Sequence, residues 1–273
     1  MRLGLEAGGD TLELAVELGI RGVPVDGGSL VNDGVDAALA PLRSRGLEVC
    51  QIGAFGYNPL SSDVDAAKQQ AELLRCIIPL AGETGCRNVV IGPGNYHPSG
   101  FGHYDLRNFE PQAVHAFADA IAPLVALAEE HGVCLSIEMY LKGVIHSVSQ
   151  FKALRRLVGC DALRANVDPS SLYTFWHAVH PARAVEDVCT GLAGHYGLVH
   201  VKEVAVSEGF HVHMGLVPLG MGHTDWAQML RLVSPHMPED SWLILEHVLS
   251  PEEGRQSYRV LMDAAGKARV TLS

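Results

Sequence analysis

The chain has 273 residues, 48% of them hydrophobic and 19% charged, a composition in the range of globular proteins. With 20 Lys and Arg against 31 Asp and Glu its formal net charge is −11, and basic residues gather nowhere. That balance argues against nucleic acid or an anionic membrane surface as a partner. The six cysteines are scattered with no C-x-x-C pair, which points to small thiols rather than a disulfide framework or zinc knuckle. "MRLGLEAGG" enters a strand with no signal-like segment, and no apolar run reaches the ~18 residues of a span, so a cytoplasmic location is expected.

In chain order, short β-rich runs recur: "LGLEAG" (3–8), "GVPVDG" (22–27), "LEVCQIGAF" (47–55) and "NVVIGPG" (88–94). "CLSIEMY" (134–140), "LRANVD" (163–168), "LVHVKEV" (198–204) and "WLILEHV" (242–248) follow. Helix-period stretches lie between them. Asp10 or Thr11 is placed to cap the first, and Ser61, Ser62 or Asp63 the long one that ends near Gly85. Phe151, Leu154 and Leu157 or Val158 share one stripe of another. Eight strand–helix units in about 250 residues predict one α/β domain over 1–273, a single (β/α)8 TIM barrel.

Such barrels place their chemistry at the C-terminal strand ends. Side chains alternate between faces of a strand, so in "SIEMY" Ser136, Glu138 and Tyr140 face inward. Asn166 and Asp168 do so on strand six, His200 and Lys202 on strand seven, and Ile244 and Glu246 on strand eight. Singly, each has an ordinary reading: a carboxylate at a strand end caps helices, a buried His is a satisfied core group, and Asp-Pro starts turns. Together they converge. Three carboxylates in one low-dielectric mouth repel one another unless a cation joins them. An oxygen-rich set with one imidazole suits Mn²⁺, Mg²⁺, Co²⁺ or Zn²⁺. Glu138, Asp168, His200 and Glu246 are therefore the expected ligands of one divalent ion. Lys202 is expected to support the carboxylates or a substrate oxygen. His247 falls on the opposite parity and is expected to face a helix.

The pieces "IEMY", "NVDPSSL", "HVKE", "VPLGMGHTDW" and "LILEHV", one per successive unit, together with "FGYNPL" (55–60), resemble the sugar isomerase/epimerase-like barrels related to xylose isomerase. That group includes tagatose- and allulose-type epimerases. The resemblance spans the chain and is sharpest over 134–248. It implies one bound divalent ion, manganese by preference, and Glu138 and Glu246 as an acid/base pair working through an enediolate. It also implies a sugar-like substrate, with Asn58 of the Asn-Pro-Leu turn nearby, and a homodimer or homotetramer. Two positions depart from the pattern. Glu203 stands where an Asp is usual, and Ser171 where many members carry a substrate-touching His. Ser171 and the neighbouring His177 are thus tentative substrate contacts. So are His211 and His213 in the Gly- and His-rich stretch 207–226, expected to be a loop in the substrate wall. There Gly220 and Gly222 permit a turn before Asp225 caps a helix. Phe55, Tyr57, Tyr96 and Trp176 are read either as apolar walls or as core.

The expected activity is thus a metal-dependent epimerase or aldose–ketose isomerase of a small sugar or related polyhydroxy carbonyl compound. A lyase or dehydratase on the same scaffold is the alternative. An abasic-site endonuclease-like enzyme and a non-catalytic sugar-binding barrel stand further off.

Overall fold

The computed structural model describes residues 1–7 and 11–273. Among the described residues ten strands form: β1 (Arg2–Ala7), β2 (Gly22–Asp26), β3 (Glu48–Gly53), β4 (Asn88–Ile91), β5 (Cys134–Glu138), β6 (Leu163–Val167), β7 (Tyr196–Val201), β8 (Glu203–Val206), β9 (Met214–Val217) and β10 (Trp242–Val248). Eight of them close into a barrel in the ring order β1-β10-β7-β6-β5-β4-β3-β2. The chain is a (β/α)8 TIM barrel, as the strand–helix alternation predicts. Parallel staves whose far face is covered by helices must be apolar on that face as well, which accounts for the near-continuous burial of β4, β7 and β10.

By contact density the chain divides into two compact units. One comprises Met1–Pro24, Leu42–Cys50 and Val167–Ser273. Within it β1 pairs with β10 from Arg2↔Trp242 to Leu5↔Leu245, and β10 pairs with β7 through Ile244↔His200. The β1–β10 register then slips, so that Ala7 faces Val248. The helix Pro251–Ala268 packs on Thr11–Leu18 and Trp226–Val233. A Cβ on Gly254 would lie 2.5 Å from Leu14, so the closeness of the first pair depends on that glycine. Thr11 accepts from the Ala7 N–H at 2.9 Å; Asp10, the other proposed cap, lies outside the described residues.

The second unit comprises Val25–Pro41 and Gln51–Asn166. Here β4 pairs with β5 and β5 with β6, with Glu138 opposite Asn166. Asp63 caps Val64–Glu83 by accepting from the Ala66 N–H at 3.0 Å, and Ser147 caps Val148–Val158, which ends on left-handed Gly159. Phe151 and Leu154 are fully buried, whereas Leu157 is exposed, so Leu157 falls off the stripe. Pro111–Glu130 matches a membrane span by length and composition, which the run of residues had not suggested. Its apolar content is used for packing: Phe117, Ile121, Leu124 and Val125 are buried, and it lies against Val64–Glu83 and Val148–Val158.

Strand seven departs from expectation. It stops at Val201, and after Lys202 the chain reverses role: β8 pairs antiparallel with β9, from Glu203↔Val217 to Val206↔Met214. Much of the stretch expected as loop is therefore a hairpin. Among the described residues no disulfide forms, and burial pushes the Cys189 thiol up to about 12.

Candidate metal centre

Each ligand candidate stands at or just beyond a strand end. Glu138 is the last residue of β5, Asp168 follows β6, His200 lies near the end of β7, and Glu246 lies in β10. All four are buried, and one ligand atom from each falls within 4.8 Å of the others. The period of the strands delivers them together, as expected.

Asp168 is held by the turn it starts. Its Oδ1 accepts from the Ser170 N–H (3.0 Å), the Ser170 hydroxyl (2.6 Å) and the Ser171 N–H (3.3 Å). Its Oδ2 accepts from the Ser171 hydroxyl at 2.7 Å and pairs with Lys202 Nζ at 2.6 Å. Ser171, read from sequence as a substrate contact, thus fixes the aspartate. Ser170 was not singled out in the sequence, though "DPSS" is the signature of such a side-chain-capped turn.

Glu246 meets His200 Nδ1 through Oε2 at 2.9 Å and Lys202 Nζ through Oε1 at 2.5 Å. Burial pushes this carboxyl up, but the charges of His200 and then Lys202, with the His200 hydrogen bond, outweigh that effect and hold it well below the usual range. Asn166 Nδ2 lies 3.5 Å from Glu138 Oε2. Lys202 is itself buried, 8% exposed, and its ammonium pairs with Asp168 and Glu246.

One neighbour escaped the sequence reading and another was misplaced by it. Glu6, near the end of β1, has its carboxyl raised by burial and then by the negative charge of Glu246. His247 takes a left-handed φ of 56° where the β1–β10 register slips, and its Nε2 comes within 3.7 Å of Glu246 Oε1. The slip breaks strict alternation, which is why parity misplaced it against a helix. Glu6 had a signal: it is a polar residue at a strand end, like the four ligands.

The remaining candidates are described by their own local contacts. Asn58 Oδ1 accepts from the Asn95 N–H at 2.9 Å, while its buried Nδ2 has no hydrogen-bond partner among the described residues. His177 Nδ1 accepts from the Thr174 N–H at 3.3 Å and so caps Phe175–Val179. His211 and His213 are exposed between β8 and β9. Of the aromatic residues, Tyr57 is buried, Phe55 half-exposed and Trp176 largely exposed. Phe101 stacks on Tyr140, two residues past Glu138, with centroids 5.3 Å apart.

Glu203 has a separate task. Its buried carboxylate accepts from the Trp226 indole at 2.9 Å and from the Gly220 and Thr224 N–H groups at 3.3 and 3.4 Å. A Cβ on Gly222 would sit 2.6 Å from Glu203 Oε1, so the turn before Asp225 closes only over a glycine. Asp225 caps the next helix as expected, accepting from the Gln228 N–H at 2.9 Å.

A family profile described as xylose isomerase-like TIM barrel matches residues 6–264. The chain belongs to this family. Solved members of the same fold include a xylose isomerase-like TIM barrel protein from Mycobacterium smegmatis in complex with magnesium, at 20% identity and TM-score 0.72, covering 93% of this chain and 88% of that one. A D-psicose 3-epimerase determined in the presence of D-fructose aligns at 13% identity and TM-score 0.70, covering 98% and 99%. The IOLI protein with a bound zinc atom aligns at 14% identity and TM-score 0.67, covering 98% of each chain. No curated protein matches the chain. Within this xylose isomerase-like barrel, three carboxylates and an imidazole form a buried group whose donor chemistry fits a divalent ion.

Proposed function

We propose that this chain is a divalent-metal-dependent epimerase or aldose–ketose isomerase acting on a small sugar or related polyhydroxy carbonyl compound. The observation that carries the reading is that two glutamates, Glu138 and Glu246, belong to one buried ligand group with Asp168 and His200. The epimerase among the similar structures supports it at the level of fold.

Glu138, Asp168, His200 and Glu246 would hold the ion, with manganese the first choice. When bound, it supplies Lewis-acid polarisation of a carbonyl and offsets negative charge developing on oxygen. The residues supply the rest. Proton transfer next to a carbonyl needs one group to take the carbon-bound proton and a second to return one. Glu138 and Glu246 come from staves separated in the ring by β6 and β7, which suits them to opposite faces of a substrate. The Lys202 ammonium keeps Glu246 ionised, as a group must be before it accepts a proton. Glu138, protonated by exchange with solvent, then delivers that proton to the enediolate, giving the epimer or, at the adjacent carbon, the aldose.

The test is proton NMR of ketohexoses and ketopentoses incubated in D₂O with the Mn²⁺-loaded protein. Solvent deuterium should appear at the carbon beside the carbonyl, and Glu138→Gln or Glu246→Gln should abolish it. Formation of an enone would instead assign a dehydratase. Absence of exchange and of product across the panel would remove the proposal.

A further inference from the structure

Lys202 stands where a second cation is not needed to fill space. Its ammonium lies 2.6 Å from Asp168 Oδ2 and 2.5 Å from Glu246 Oε1, two of the carboxylates of the ligand group. The other oxygens of those carboxylates are already engaged: Asp168 Oδ1 by three donors of the Ser170–Ser171 turn, Glu246 Oε2 by His200 Nδ1. The side chain has little freedom to retreat, since it is buried and its backbone is clamped between β7 and β8. The charges are simple to add. Three carboxylates give −3, the ammonium +1, and a divalent ion +2, so the loaded site is neutral only with Lys202 in it.

Resting on the metal-site reading above, we propose that Lys202 is a tethered counter-ion that competes with the divalent ion for Asp168 Oδ2 and Glu246 Oε1. It thereby weakens metal binding while stabilising the carboxylate cluster without metal. The ammonium and the ion attract the same oxygens and repel each other in a site of low dielectric, so a gain for one is a loss for the other. Lys202 would then set the affinity as well as the shape of the site, and keep the ion exchangeable.

Lys202→Met removes charge and donors; Lys202→Gln removes the charge but keeps an N–H donor. Each is compared with the unaltered protein by calorimetric titration with Mn²⁺ after chelator treatment, and by thermal melting with chelator and with Mn²⁺. Both variants are expected to bind Mn²⁺ at least about tenfold more tightly. Both should melt lower than the unaltered protein in chelator and show a larger upward shift on adding Mn²⁺. A variant that folds only with Mn²⁺ supports the same conclusion. Affinity that is unchanged or weaker overturns it, as does failure of both variants to fold even with Mn²⁺, which would make Lys202 a structural element alone. If the unaltered protein binds neither Mn²⁺, Mg²⁺ nor Zn²⁺, the metal-site reading falls first and takes this inference with it.

Discussion

At the scale of single residues, the four ligand candidates are conventional and their neighbours are informative. Glu6 shares its end of the barrel with Glu246, and both burial and that negative charge raise its carboxyl above the usual value. The folded state therefore holds the Glu6 proton to higher pH than the unfolded chain does. Its contribution to stability is fully present below the unfolded pKa of about 4.3 and is lost as pH rises through the raised folded value. Glu6→Gln, which mimics the protonated acid, should melt higher than the unaltered protein at neutral pH in chelator. The gap should narrow as pH falls toward 4; a gap independent of pH would contradict the assigned cause. His247 shows a different strain. A non-glycine residue at φ 56° has a local conformational cost, here at the register slip beside Glu246.

At the scale of elements, the strand ends were legible and the connection after β7 was not. Alternation with period two places Glu138, Asp168, His200 and Glu246 on one side of their strands without any tertiary information, and their convergence follows once the staves are parallel. Asp63, Asp225 and the Phe151–Leu154 stripe were readable for the same reason: caps and faces are local. The hairpin was obscured because β8 and β9 are four residues each and lie in a segment crowded with Gly and His. Its alternating "VAV" and "MGLV" flanks around "SEG" were a weak signal. Long-range contacts left still less trace. Nothing in the sequence ties Glu203 to Trp226, yet three donors from 220–226 converge on its carboxylate. Glu203→Gln should cost about 1.5–3 kcal/mol in urea unfolding, the range for hydrogen bonds to a charged group. Hydrogen exchange should accelerate at the Gly220 and Thr224 amides while the barrel strands stay protected. Uniform acceleration everywhere would mean that Glu203 supports the whole barrel rather than this turn.

At the scale of the molecule, closing eight strands into a ring leaves none of those staves with an unpaired border. β8 and β9 stand outside that protection, since among the described residues they form a sheet of two. The turn between them carries Phe210 at 97% and Val212 at 63% exposure. A free strand border beside bare aromatic surface is the arrangement from which clumping begins when a protein is warmed or concentrated. Replacing the ring with a hydroxyl, Phe210→Ser, should delay the onset of light scattering on heating and leave the unfolding midpoint where it was. If scattering starts at the same temperature, the sticky surface lies elsewhere, and the shelf life of this barrel is governed by global unfolding instead.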